Sequence, residues 1–442
     1  MALPSGIIGH KDLDTDFVAV ATQSDSGRYI RVLKNRTDTP TTLFSYPKAS
    51  WVEDTSMSDI SLATTGVAYN ALNGKAPTSH GHSTEDISSF GDWAVISDAS
   101  NNIVFKTLNI ENWTAVADSG FGTNSVVGVC YGNGKFVAVG FGGKIAYSSD
   151  GINWTAANSP VTVTLTDICY GNGKFVAVGN RKILYSTDAV TWTLIPDSES
   201  NYSFAGSVCY GNGKFVAGGV SGKMAYSSDG ISWTLVYDSK FNSVGHIYGV
   251  CYENGKFIAG GSSGGMVCSA NGVTWTAVSD SRFGSSYINS ICYGNGKFVA
   301  VGFDGKIAYS SDGTSWTAVT NSGFGTSDIY SVCYGDGRFV AAGSSATGGI
   351  SAGSGKIAYS SDGINWTAVT DFKFDSSIRS ICYGNGKYVA VGNNGKITYS
   401  PDAISWTLVT DSKFDSTHIY GICYGNEKYV AVGGGGRISY AI

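Results

Sequence analysis

From about residue 113 to its end the chain is a succession of short apolar runs broken by glycine-rich turns. The stretch from Val127 to Ala157 shows the unit: the run "VGVCYG", then Gly132-Asn133-Gly134-Lys135, then "KFVAVG" and "KIAYSS", then a turn "SDGIN" leading into "WTAA". An Asn-Gly pair between two β-type runs is a strong hairpin signal, because both residues tolerate positive φ. Four strands are predicted in each unit, and the unit recurs. Trp113, Trp154, Trp192, Trp233, Trp275, Trp316, Trp366 and Trp406 occupy one position of it, at intervals of 38 to 50 residues. A period near 40 residues, dense in glycine and short strands, predicts a β-propeller rather than a helical solenoid.

Phased from its tryptophan, the unit reads as an outer strand d followed by a, b and c. Eight units run from Trp113 to Ile442. The expected fold is all-β, a propeller of about eight four-stranded blades. Its first outer strand, Trp113–Val116, pairs with the final "RISYAI", so that the two ends of the repeat share one blade. The segment Asp86–Thr107 reads as a degenerate a-b-c set and keeps a ninth blade open. The expected propeller spans residues 89–442.

The turn before the tryptophan is a second repeated feature. Ser148-Ser149-Asp150-Gly151-Ile152-Asn153-Trp154 returns with Asp188 and Trp192, Asp229 and Trp233, Asn271 and Trp275, Asp312 and Trp316, Asp362 and Trp366, and Asp402 and Trp406. It resembles the Asp box of sialidases and related propellers, in which Ser-x-Asp, a glycine and an aromatic recur from blade to blade. These copies are one residue shorter than the family's usual spacing between Asp and Gly, and some lack the glycine. The resemblance implies a structural role. The Asp or Asn side chain accepts backbone N–H groups across the turn and the tryptophan fills a gap between outer strands.

The a–b and c–d turns vary little and are expected at one end of each blade. The b–c and d–a loops, expected at the other end, vary in sequence, and one b–c loop expands to Gly343–Lys356. Residues three and five positions before the repeat cysteine collect tyrosine, histidine and charged groups, with flat apolar faces and polar tips suited to sugars or protein loops. The candidate binding residues are His246, Tyr248, Tyr287, Asn289, Asp328, Tyr330, Arg379, His418 and Tyr420.

Before residue 89 the composition changes. Residues 1–57 read as a small β domain with runs such as "DFVAVAT" and "RYIRVLK"; Ser58 or Asp59 then caps a short amphipathic helix. The linker "ALNGKAPTSHGHSTEDIS" follows (Ala71–Ser88). It resembles a linker of bacteriophage tail fibres, in which a His-x-His pair meets its symmetry mates on a threefold axis and binds iron octahedrally. The resemblance implies that residues 58–88 trimerise the chain and that His80 and His82 form such an iron site. Alternate residues of an extended strand share a side, and six imidazoles suit a first-row transition metal. No other cofactor is expected.

Charge and composition narrow the function classes. A net charge of −5 is no footprint for nucleic acid or an anionic membrane. No run of 18 apolar residues offers a membrane span. "MALPSGIIGHKDLDTDF" lacks a basic segment followed by an apolar stretch, so no secretory signal is expected. Eight of nine cysteines sit in one repeat position, where equivalent sites on different blades make poor disulfide partners. Buried, reduced thiols and assembly in a reducing cytoplasm are expected. The propeller region has few arginines and glutamates, against the arginine cluster and Tyr–Glu pair of sialidase chemistry, so no catalytic residue is expected.

Together these readings predict a virion attachment protein. Residues 1–57 would join other tail proteins, residues 58–88 would form a homotrimer, and the propeller would bind a host-surface glycan or protein outside the host cell. The rival readings are a structural virion or baseplate part, a monomeric lectin or scaffold, and a sialidase-like glycosidase.

Overall fold

The computed structural model describes residues 110–442 except 197–205, 242–244, 346–352 and 371, and before residue 110 the backbone of six strands. The chain divides into two compact units, Met1–Asn109 and Ile110–Ile442. In the first, Gly6–Gly9, Val18–Ser24, Gly27–Leu33 and Thr41–Pro47 form one antiparallel sheet in chain order. Trp93–Ser97 and Ile103–Thr107 pair with each other as a separate hairpin. The helix expected after Ser58 and the His80/His82 pair lie outside the described residues.

The second unit is a propeller of eight four-stranded antiparallel blades. Blade 1 comprises strands a (Val126–Gly132), b (Lys135–Gly140), c (Ile145–Ser148) and d (Thr155–Ala156). The inner strands of blades 2 to 7 begin at Asp167, Ser207, Ile247, Ile288, Ile329 and Ile378. Blade 8 takes a, b and c from Ile419–Gly425, Lys428–Gly433 and Ile438–Ala441, and d from Thr114–Ala115. Ser439 pairs with Ala115 and Tyr440 with Thr114, so the ring closes by mixing the two ends of the repeat, as expected. Among the described residues no ninth blade is formed: the strands at 93–107 pair only with each other.

Side-chain alternation explains how one sequence builds both walls of a blade. Along strand b of blade 1, Phe136 and Ala138 pack toward blade 8 with Val430, Val432 and Ile438, whereas Val137 and Val139 pack toward blade 2 with Ile168 and Phe175. Successive residues of a strand point to opposite faces, so "FVAV" supplies two interfaces at once. All four are fully buried, each worth about 1.5–3 kcal/mol for the larger side chains. The "CYG" that ends strand a is a joint between blades. A Cβ on Gly132 would lie 2.3 Å from the ring of Tyr170 in blade 2, and that ring rests on Phe175, centroids 4.7 Å apart.

At one end of the ring the a–b turns carry Asn-Gly in the left-handed region, φ 48° at Asn133 and 71° at Gly134. Their asparagines reach the c–d turn of the next blade: Asn172 Nδ2 donates to Ser228 O (3.2 Å) and Asn295 Nδ2 to Ser361 O (3.0 Å). In each c–d turn the Asp closes a local network. Asp150 Oδ1 accepts the N–H groups of Ile152 and Asn153, both at 2.8 Å, and Trp154 Nε1 donates to Gly151 O. The same bonds recur at Asp188, Asp229, Asn271, Asp312, Asp362 and Asp402. Partial desolvation pushes the Asp229 carboxyl up, but Ile231, Ser232 and Ser227 outweigh it and bring it down to about 2; Asp362 behaves alike. Blade 8 has no c–d turn, because its c and d strands come from opposite ends of the repeat. Trp113 Nε1 is accordingly buried without a partner among the described residues.

The repeat cysteines correct an expectation. They are half-buried rather than buried, whereas Cys268, the one outside the pattern, is buried. Each lies on an inner strand and packs on the core shared with the next blade, as Cys130 does beside Ile168 and Phe175. Desolvation, then the neighbouring Cys423 and Asp167, hold the Cys130 thiol well above its usual range. Thiols so placed stay protonated and inert.

Candidate binding rim

The end of the ring opposite the Asn-Gly turns is built on anchored loops. Before most inner strands the chain reads Asp/Asn-Ser-x-Phe, for example Asp238-Ser239-Lys240-Phe241 and Asp280-Ser281-Arg282-Phe283. The serine hydroxyl donates to a glycine carbonyl in the b–c turn of the preceding blade: Ser239 to Gly222 (2.7 Å), Ser281 to Gly264 (2.6 Å), and likewise Ser119 to Gly436 and Ser412 to Gly395. The third residue turns left-handed, φ 72° at Arg282, and the phenylalanine is buried. Reading these loops for their differences missed this anchor, although its repetition is plain in the sequence. Its effect is to fix the residues that follow, which are the variable ones.

Seven of the nine candidate residues lie along one arc over blades 4 to 8. His246 stacks on Tyr248 (centroids 6.3 Å, interplanar 14°) and Tyr248 meets Tyr287 at 5.6 Å. Tyr287 stacks on Phe303 (5.0 Å, 27°), whose edge meets Tyr330 at 6.2 Å. Phe303 comes from a b–c turn and was not among the residues chosen from the sequence. Tyr248 and Tyr287 remain 42% and 37% exposed, enough for each to offer a face to a ligand. Across blades 7 and 8, the Arg379 guanidinium lies 5.1 Å over the Tyr420 ring, and His418 meets Tyr420 edge-on at 6.5 Å.

The other two candidates are turned into the frame. Asn289 Nδ2 donates to Ile329 O at 2.7 Å, bracing blade 5 on blade 6. Asp328 is buried, and its Oδ1 accepts the Asp304 N–H at 3.1 Å.

The electrostatics of the arc follow from partial burial. Desolvation, then the Asp328 charge, push the Tyr330 phenol up to about 12. Desolvation lowers Arg379 and, with Arg379 beside it, lowers His418, so His418 is neutral at neutral pH. Its Nδ1 accepts the Asn394 N–H at 3.1 Å, which leaves the proton on Nε2.

The arrangement offers binding surface and little acid–base chemistry. Of the described glutamates of the propeller, Glu253 and Glu427 sit at the a–b end, opposite the rim, and Glu111, just before the outer strand of blade 8, accepts the Tyr399 hydroxyl. The arginines on the rim side, Arg181, Arg282, Arg379 and Arg437, belong to different blades, and Arg282 and Arg437 are paired with Asp280 and Asp415. Among the described residues no three His, Cys, Asp or Glu side chains converge as metal ligands, and no helix is long and apolar enough to cross a membrane.

Comparisons with known proteins bear on the fold alone. No protein-family model matches the chain, and no curated protein matches it by sequence. Among solved structures it is similar to the computationally designed Ika8 protein, at 13% identity over 74% of this chain and 99% of that one, TM-score 0.58. It is also similar to Sqt1 of Saccharomyces cerevisiae, at 12% identity over 73% and 96%, TM-score 0.54. Sqt1 of Chaetomium thermophilum aligns at 10% identity over 74% and 97%, TM-score 0.55.

Proposed function

We propose that this chain is a non-catalytic attachment protein of a virion, of the tail-fibre kind, whose propeller binds a host-surface glycan or protein through the rim of blades 4 to 8. The observation that carries the binding reading is the arc of ring side chains from His246 to Tyr330, part exposed and held on an otherwise uniform ring. Buried frames need no such row; exposed neighbouring rings with polar tips are what an interface uses. The tail-fibre reading is supported by the linker Ala71–Ser88 with its His80-x-His82 pair. Three chains joined there would present three rims, and linked weak sites gain affinity without new contacts. Iron held by His80 and His82 is part of the same proposal.

The solution mass of the full chain tests it. A trimer predicts about three times 46.2 kDa, falling toward the monomer after His80→Ala with His82→Ala or treatment with an iron chelator. A full chain that stays monomeric with iron supplied contradicts the tail-fibre reading and leaves a lectin-like or scaffolding propeller.

A further inference from the structure

On the premise that the rim of blades 4 to 8 is the binding face, we propose that its ligand is an acidic saccharide whose carboxylate seats on Arg379. At this end of the ring Lys240, Arg282, Lys396, Lys413 and Arg437 each have a carboxylate of their own, on Asp238, Asp280, Asp375, Asp411 and Asp415. Arg379 has no carboxylate partner among the described residues. Its Nε donates to a neutral amide, Asn393 Oδ1, and its plane covers Tyr420. Among the described residues neither terminal nitrogen has a partner, and a guanidinium presents such a pair as a fork that matches a carboxylate.

A half-buried cation without a counter-ion costs stability. The Tyr330 hydroxyl feels both the Arg379 charge and the Asp328 carboxylate beside it. His418 contributes a proton on Nε2, since its Nδ1 is occupied. The Arg379 guanidinium and the His418 Nε2–H are thus two donors on one patch, around Tyr420. Of the rim's own acids, Asp304 bonds Ser286, and Asp328 is buried under the blade 5 turn beside the Tyr330 hydroxyl.

A sugar is favoured over a protein carboxylate by what shares the rim with this place. Tyr248 and Tyr287, on blades 4 and 5 and linked toward blade 6 through Phe303 and Tyr330, offer partly open ring faces, and a pyranose presents a flat C–H face as well as its acid group. The arc then divides into an aromatic stretch that carries sugar rings and an Arg379 end that selects charge.

The test is binding of the full chain to immobilised oligosaccharides bearing glucuronate, galacturonate or sialate, beside the same glycans with the carboxylates methyl-esterified. Acidic forms are expected to bind at least tenfold more tightly than their esters. Arg379→Met should remove that preference. Asn393→Asp should do the same by a different route, seating a carboxylate on the guanidinium, and thermal melting checks that both variants fold. Equal binding of acids and esters, or acid binding that survives both substitutions, overturns the proposal, as does the absence of any acidic glycan bound. If neutral glycans bind and Tyr248→Ala with Tyr287→Ala abolishes that binding, the rim reading stands and the acidic-sugar inference alone falls. Binding unaffected by every one of these substitutions removes both. Retention of immobilised poly-glutamate but of no saccharide also overturns it, in favour of a protein partner.

Discussion

Blades 1 and 5 carry nearly the same b–c turn, "GFGGK" and "GFDGK", yet its phenylalanine lives in two different surroundings. In blade 1 Phe141 is 47% exposed and makes no ring contact among the described residues. In blade 5 Phe303 is half-buried between Tyr287 and Tyr330. The turn itself is alike in both, with Gly142 at φ 66° and Asp304 at φ 58°. What differs is the neighbourhood. Around Phe141 the starts of the inner strands of blades 1 and 2 and the residues just before them include Ser125, Val127, Thr164 and Thr166, whereas around Phe303 those of blades 5 and 6 include Tyr287 and Tyr330. A repeated frame therefore makes no site by itself. A site arises where consecutive blades place rings at the same height, because each ring then shelters and orients the next.

Frame and rim should separate most sharply in stability. Phe298, fully buried on strand b of blade 5, should cost about 3–5 kcal/mol as Phe298→Ala. Tyr248→Ala with Tyr287→Ala should cost about 1 kcal/mol. Denaturant unfolding measures both, and equal costs would erase the distinction between frame and rim.

Acid should attack the frame before the rim. The c–d turn carboxylates are depressed in the folded chain, Asp229 and Asp362 to about 2, against about 3.9 unfolded. Their contribution is fully present above the unfolded value and is lost as pH falls from about 4 through 2. Asn271 makes the same two backbone bonds without titrating. Asp229→Asn with Asp362→Asn should therefore flatten the loss of melting temperature between pH 4 and 2. An unchanged acid limb would mean that these turns do not set it.

The smallest effect bears on the two phenylalanines directly. Phe141→Ala should stay within about 0.5 kcal/mol of the parent chain, as exposed substitutions do. Phe303→Ala should cost about 1 kcal/mol more, through lost ring contacts. The difference in unfolding midpoint reads it, and equal values would make the arc a chance adjacency.

Much of the frame was legible because eight copies constrain one another. The four strands, the Asn-Gly hairpins and the closure through Thr114–Ala115 followed from period and phase alone. The rim was less so, for identifiable reasons. Spacing placed Asn289 and Asp328 beside the tyrosines, but whether a short polar side chain turns outward or braces the next blade depends on which backbone group lies opposite. Phe303 was overlooked because its partners are about 16 to 27 residues away in sequence and meet it only when adjacent blades pack. The Ser-x-Phe anchor was visible and was hidden by attention to what varies. The cysteines came out half-buried because an inner strand shields only one side of a small side chain.

The most direct test of the central claim is adhesion of the labelled full chain to a panel of bacterial strains. Two matched variants would be compared on whichever strains bind: Tyr248→Ala with Tyr287→Ala on blades 4 and 5, and Phe141→Ala with Val127→Ala on blade 1. The account predicts at least a tenfold loss of adhesion for the first pair and none for the second. Adhesion retained by the first pair, or lost equally by both, would contradict it.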